Sequence, residues 1–198
     1  MTLATEIPAQ RAPKRSVPVL QTERLVLRAP RRADVKAILR LAGDRRVAEN
    51  TAQLPHPYRA EDAESWIAAI NREDGEATFA VTLGGELIGI CGVELRRNTP
   101  EIGCWLGVQY WSCGYATEAV RATVDHAFGT LGHCALQSGA RVSNPASRRV
   151  LEKCGFQWTG VGLYRIRAIN SSAPMDRFRL DRGLWSSLKA WGQVSEVA

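Results

Sequence analysis

Apolar and polar positions change their period along the chain, and each change predicts an element. Thr22–Arg28 (T-E-R-L-V-L-R) alternates, as a half-buried strand does. Pro30 ends that run and opens a helical stretch through Leu41, with Val35, Ile38, Leu39 and Leu41 as its apolar stripe. A second helical stretch covers 60–72 and carries Ala63, Trp66, Ile67 and Ile70. Pro55-His56-Pro57 between them must be irregular, because proline restricts the residue before it. After Gly75 the period becomes two. Thr78–Leu83 and Glu86–Ile90 flank Gly84-Gly85, a two-residue hairpin signal, and a further strand is expected over Glu101–Val108.

The clearest helix follows. Ala116, Ala119, Val120, Thr123, Val124, Ala127, Phe128 and Leu131 recur at spacings of three and four, leaving Thr117, Glu118, Arg121 and Asp125 on the expected wet side. A strand over His133–Val142, a short helix over Pro145–Lys153 and strands near Phe156–Arg167 and Met175–Leu180 complete the order. Strands and helices interleave without an internal repeat, so an α/β fold with a mixed sheet is expected. Residues 1–20, with Pro8, Pro13 and Pro18 among charges, are expected to form a flexible basic lead-in. The expected domain spans 21–185, with a C-terminal tail over 186–198.

Composition narrows the classes. The 198 residues are 45% apolar and 23% charged, as in an ordinary globular protein, and no apolar run is long enough for a membrane-spanning helix. The N-terminus offers no apolar h-region, so export is not expected and a cytoplasmic location is. Residues 1–32 hold seven basic and two acidic residues, and therefore +5 of the net +6. Such a segment suits an anionic partner, including a ribosome-bound one, although no nucleic-acid-binding motif accompanies it. The cysteines at 91, 104, 113, 134 and 154 form no C-x-x-C, and His56, His126 and His133 stand apart, so neither a metal site nor a disulfide framework is expected.

The candidate chemistry lies between Glu101 and Phe156. On the strand beginning at Glu101, alternation puts Ile102, Cys104, Leu106 and Val108 on the core face and Glu101, Gly103, Trp105 and Gly107 on the other. A carboxylate on that open face is placed to act as a base. Trp111-Ser112-Cys113-Gly114-Tyr115-Ala116-Thr117 is a small-residue turn leading into the clearest helix, where backbone N–H groups and the helix dipole favour a phosphate. Asn144, Pro145 and Gly155 read as the N-cap, first residue and C-terminal stop of a short helix.

Taken together and in this order, T-E-R-L-V-L-R, E-I-G-C-W-L-G, Y-W-S-C-G-Y-A-T-E-A, N-P-A-S-R-R-V-L-E-K-C-G-F and D-R-F-R-L resemble the Gcn5-related N-acetyltransferase (GNAT) superfamily. The resemblance runs from Thr22 to Trp185 and is nearest to the branch of ribosomal-protein alanine N-acetyltransferases. It implies a single-domain, mostly antiparallel sheet splayed between two central strands and flanked by helices. It also implies acetyl-CoA as co-substrate. Trp111, Ser112, Cys113, Gly114, Tyr115, Ala116 and Thr117 would receive its pyrophosphate. Leu106, Gly107 and Val108 would bind its pantetheine arm, with a hydrogen bond from Asn144. Glu101 would deprotonate the amine and Ser147 would protonate the departing thiolate. The acceptor expected is an amine, by default a protein N-terminus, with a small amine of the aminoglycoside type or a non-catalytic acyl-CoA-binding role as alternatives. Monomer and homodimer both stay open. Three positions depart from the family pattern: Trp111 and Cys113 stand where many relatives carry polar or basic residues, and Leu151 stands where a tyrosine acid is common.

Overall fold

The computed structural model describes residues 17–70, 76–96 and 99–193. Among these, eight strands form one sheet in the order β1-β2-β3-β4-β5-β6-β8-β7. They are β1 (Leu20–Gln21), β2 (Leu25–Arg28), β3 (Ala77–Leu83), β4 (Glu86–Arg96), β5 (Thr99–Leu106), β6 (Ala135–Arg141), β7 (Gln157–Ile166) and β8 (Ser171–Asp181). The helices are α1 (Val35–Ala42), α2 (Arg45–Glu49), α3 (Ala60–Ala69), α4 (Tyr115–Gly129), α5 (Pro145–Lys153) and α6 (Arg182–Gln193). Every neighbouring pair of strands is antiparallel except the central pair β5 and β6. No helix among the described residues is long and apolar enough to cross a membrane.

Both faces of the sheet are covered, which explains why β3 is buried along nearly its whole length. On one face Phe79, Val81, Ile88, Ile102 and Leu106 pack with Val120, Val124 and Phe128 of α4 and Leu151 of α5. Trp185 of α6 extends this core by lying 5.2 Å from Phe128, ring centre to ring centre. On the other face Ala80, Ile90 and Trp105 pack with Ile38 and Leu41 of α1 and Ala63 and Trp66 of α3. A register shift in the β3–β4 ladder between Val81 and Thr82 skips Ile88, so Ile88 and Cys91 can share one core.

Several boundaries move. The strand expected to reach Val108 stops at Leu106, because Val108–Tyr110 turns into a 3₁₀ segment. The strand expected to end at Ile90 continues to Arg96. The helix expected over 60–72 ends at Ala69, and 71–75 lie outside the described residues. Two short elements, β1 and α2, lack a period long enough to register and were not anticipated. The basic lead-in expected over 1–20 is corrected at its end, where Leu20 opens β1 and Val17 and Leu20 pack against the main core; 1–16 lie outside the described residues. The tail expected over 186–198 is corrected too: α6 runs across its first half to Gln193.

Candidate active site

The site begins where the parallel pair comes apart. β5 and β6 share a single register pair, Glu101 with Gln137, and diverge beyond it. The Ser138 hydroxyl donates to the Ile102 carbonyl at 2.8 Å, supplying from a side chain the rung that the backbone no longer makes. At the far end the Gly107 N–H donates to Ile88 on β4, and the Trp111 indole N–H donates to the Leu106 carbonyl at 2.8 Å. Hydrogen-bonding direction alternates along a strand. The N–H and C=O of Cys104 and the N–H of Leu106 therefore face the gap. An extended chain entering there would find ladder partners already oriented.

The gap opens into a cleft of about 410 Å³ that passes through the sheet. On the α4 and α5 side it is lined by Trp111, Ser112, Gly114, Tyr115, Ala116, Thr117, Asn144 and Ser147. On the other side Trp105 meets Val47, Asn50 and Thr51 at the end of α2. Two arginines pin that second wall. Arg141 donates to the Glu49 carbonyl at 2.7 Å, and Arg167 donates to the Gln53 carbonyl at 3.2 Å.

The turn before α4 owes its shape to residues with left-handed backbone. Ser112 has φ 61° and Gly114 has φ 83°. The first intrahelical acceptor is the Gly114 carbonyl, bonded by the Glu118 N–H, so the N–H groups of Tyr115, Ala116 and Thr117 lack partners within the helix. With the dipole of a 15-residue helix behind them, these donors suit an anion.

Glu118, expected on the wet side, is instead half-buried and fully engaged. It accepts from the Thr22 hydroxyl at 2.6 Å, the Arg24 N–H at 2.8 Å and the Arg24 guanidinium at 2.8 Å. Arg24 also donates to the Cys113 carbonyl at 3.0 Å and lies 4.7 Å over the Tyr115 ring. Burial alone would push the Glu118 carboxyl up, but its bonds to Thr22 and Arg24 outweigh it and hold the group below the usual carboxylate range. T-E-R and Y-A-T-E-A, far apart in sequence, are thus two halves of one brace under the phosphate turn. Sequence reasoning found both motifs and missed their pairing. The second arginine of T-E-R-L-V-L-R does similar work: Arg28 grips buried Asp34 through two 2.8 Å bonds and fixes the start of α1.

Asn144 caps α5 by accepting from the Ser147 N–H at 3.1 Å. Its amide N–H donates to the Ser147 hydroxyl oxygen at 3.2 Å. Accepting that bond polarises the hydroxyl and leaves it free to donate into the cleft.

Glu101 is not among the residues that line the cleft; it lies on the same face of β5 as Trp105, four residues before it, beside Arg96 at 3.5 Å. Burial pushes its carboxyl above the ordinary value. Arg96 opposes the rise and Glu94 adds to it. Gly107 and Val108 do not line the cleft either. Gly107 is buried where a β-carbon would come 2.5 Å from a terminal methyl of Leu41, so packing against α1 favours a small residue there. Cys113 is exposed outside the cleft. Among the lining residues that sequence reasoning missed are Val47, Asn50 and Thr51, on and just after an element too short to show a period, and Cys104. The hydrogen bond with Cys91 and burial push the Cys104 thiol well up, which makes it a poor nucleophile.

A family model described as an acetyltransferase (GNAT) domain matches residues 24–157, more than half of the chain. The uncharacterized N-acetyltransferase YoaA of Bacillus subtilis is 30% identical over 152 residues, covering 73% of this chain and 85% of that protein. Among solved structures, spermidine N-acetyltransferase from Vibrio cholerae, in complex with CoA and spermine, superposes with a TM-score of 0.71. Its identity is 20%, over 83% of this chain and 99% of that one. RimJ of Mycobacterium smegmatis, in complex with CoA-disulfide, superposes with a TM-score of 0.70 at 20% identity, over 85% of this chain and 89% of its own.

Proposed function

The chain belongs to the GNAT acetyltransferase family, and from that premise we propose that it transfers acetyl from acetyl-CoA directly to the α-amino group of a protein N-terminus. The observation that carries the reading is the cleft through the sheet. One mouth lies under the donors of α4, and the other opens beside Trp105 on the face of β5 that bears Glu101. Donor and acceptor can thus approach from opposite sides and meet at the splay.

In this reading Ser112–Thr117 hold the pyrophosphate through backbone N–H groups, braced from below by Arg24. The backbone of Cys104 and Leu106 pairs with pantetheine, and Asn144 frames the arm from α5. Glu101, directly or through water, takes a proton from the ammonium, since only the free amine has a lone pair to attack. The amine nitrogen forms a bond to the thioester carbon. The negative oxygen so created lies within reach of strand N–H groups such as that of Leu106. The carbon–sulfur bond then breaks with its electron pair passing to sulfur, Ser147 supplies the proton that makes free CoA thiol, and the second proton shed by the nitrogen as the amide forms returns through water to Ser147. The products are an amide, CoA and one proton released to solvent. No covalent enzyme intermediate is needed.

Charge on the acceptor face supports a single amine over a polyamine. The β6–β8 register sets Arg179 beside Gln137 and Arg177 beside Gly139, on the same face as Glu101, and Arg96 adjoins Glu101 itself. Arg96 sits between Glu94 and Glu101, and Arg179 is paired with Asp181 at 2.6 Å, so among the described residues the face has no excess of carboxylates to hold a polycation. The test is release of CoA thiol by the wild-type protein with acetyl-CoA and a panel of amines. The panel comprises peptides beginning with Ala or Ser, the same peptides N-acetylated, spermidine and an aminoglycoside. The free peptides should exceed spermidine by at least about tenfold in kcat/KM. Faster turnover of spermidine or the aminoglycoside would replace the acceptor, and silence on every amine would overturn the reading.

A further inference from the structure

β4 and β5 carry three glycines, and two have a packing reason. A β-carbon on Gly89 would lie 2.2 Å from the Trp105 carbonyl oxygen, and one on Gly92 would lie 2.8 Å from the Thr78 α-carbon. Gly103 on β5 is different: a β-carbon there would meet no atom within 4 Å. Its backbone lies in the ordinary extended ladder opposite Gly92, a conformation open to any residue. Glycine weakens a strand interior, so its presence at an unconstrained, exposed position calls for another cause.

Place on the strand provides that cause. Glu101, Gly103 and Trp105 point to the same face, about 7 Å apart in sequence of two. Glu101 is the proposed base and Trp105 lines the mouth of the cleft. Whatever passes between base and mouth passes over Gly103. We infer that Gly103 is a specificity-determining residue, whose bare backbone keeps open the path of the acceptor amine and limits the size of the group on its α-carbon. The inference rests on the N-acetyltransferase reading above.

Gly103→Ala and Gly103→Val test it, beside wild type, on peptides beginning with Gly, Ala and Ser. Calorimetric titration with acetyl-CoA and thermal melting run in parallel. Acetyl-CoA affinity should stay within about twofold, and the alanine variant should not melt below wild type, because the added β-carbon meets open space. Acceptor kcat/KM should fall about tenfold in the alanine variant and about a hundredfold in the valine variant. The loss should be steeper for Ser-starting than for Gly-starting peptides. Wild-type kcat/KM in Gly103→Val overturns the inference alone, as does a uniform loss matched by weaker acetyl-CoA binding. Absence of amine turnover in wild type overturns the reading on which it rests.

Discussion

Glu118 and Glu101 stand outside the cleft lining, one under the phosphate turn and one on β5, and handle a carboxylate in opposite ways. Under the phosphate turn, Glu118 is enclosed by Thr22 and Arg24, and its charge is favoured over its protonated form. On the face of β5 that it shares with Trp105, Glu101 is 30% exposed against 14% for Glu118; among the described residues its cationic neighbour is Arg96 at 3.5 Å, and Glu94 works against it. There the balance shifts toward the proton relative to a free carboxyl. A carboxylate with every lone pair engaged holds the molecule together and has nothing left to give a substrate. One that is desolvated and loosely paired will take a proton from a bound ammonium.

The largest effect that can break this comparison is on catalysis. Glu101→Gln should lower kcat by about 10²- to 10⁴-fold while leaving acetyl-CoA affinity unchanged, since the residue lies outside the cleft lining. Its effect on stability should run the other way. A carboxyl whose folded pKa is raised favours the fold at low pH and loses that contribution as pH rises through the folded value. At neutral pH the ionised Glu101 is therefore a cost, and Glu101→Gln should melt above wild type. The two should converge in acid, where the wild-type carboxyl is protonated. An equal melting temperature at pH 7 would mean that Arg96 compensates Glu101 fully, and the contrast with Glu118 would fail.

The mirror experiment is Glu118→Gln. Glu118 has a lowered pKa, so its contribution is complete above the ordinary carboxylate range and is lost as pH falls through the folded value. Loss of charge-assisted bonds to Arg24 should cost about 1–2 kcal/mol at pH 7, with the difference again closing in acid. The two variants should thus straddle wild type at neutral pH and meet it at low pH. Because Arg24 also holds the Cys113 carbonyl, a loosened brace should weaken CoA binding several-fold without changing kcat for bound acetyl-CoA. Unchanged CoA affinity would reduce the brace to a purely structural element.

The two regions also differ in how far the sequence discloses them. The phosphate turn and α5 are local: Gly114 permits its left-handed turn, Asn144 caps its own helix, and the 3.6-residue period of α4 is long enough to read. Their spacing along the chain carries the family resemblance. The brace is not local, because nothing in Thr22 or Arg24 says that Glu118 will lie beside them. A charged residue on the polar side of a periodic helix reads as solvated until the fold brings β2 against it. The acceptor wall is less legible still. α2 spans Arg45–Glu49, too short for a period, and its place depends on carbonyl bonds from Arg141 and Arg167 far along the chain. Glu101 was legible as a carboxylate on an open strand face. Its raised pKa depends on burial by elements from elsewhere in the chain.

The smallest effects sharpen the comparison at α5, where one residue serves both purposes. The Asn144 side chain caps the helix through the Ser147 N–H and orients the Ser147 hydroxyl through its own amide. Asn144→Ala removes both bonds and should cost about 1 kcal/mol of stability, the usual worth of an N-cap. Asn144→Asp keeps an acceptor for the Ser147 N–H but cannot donate to the hydroxyl, so it should restore the melting temperature without restoring kcat. Ser147→Ala leaves the cap intact, because the capping bond uses the backbone N–H, and should melt as wild type does. If Ser147 protonates the thiolate, its loss should lower kcat about tenfold with acetyl-CoA, the low end for proton-transfer catalysis. The deficit should shrink when the thioester's leaving group is a more acidic thiol that departs without a proton. An undiminished deficit on the acidic thioester would assign Ser147 to positioning, and the proton to water.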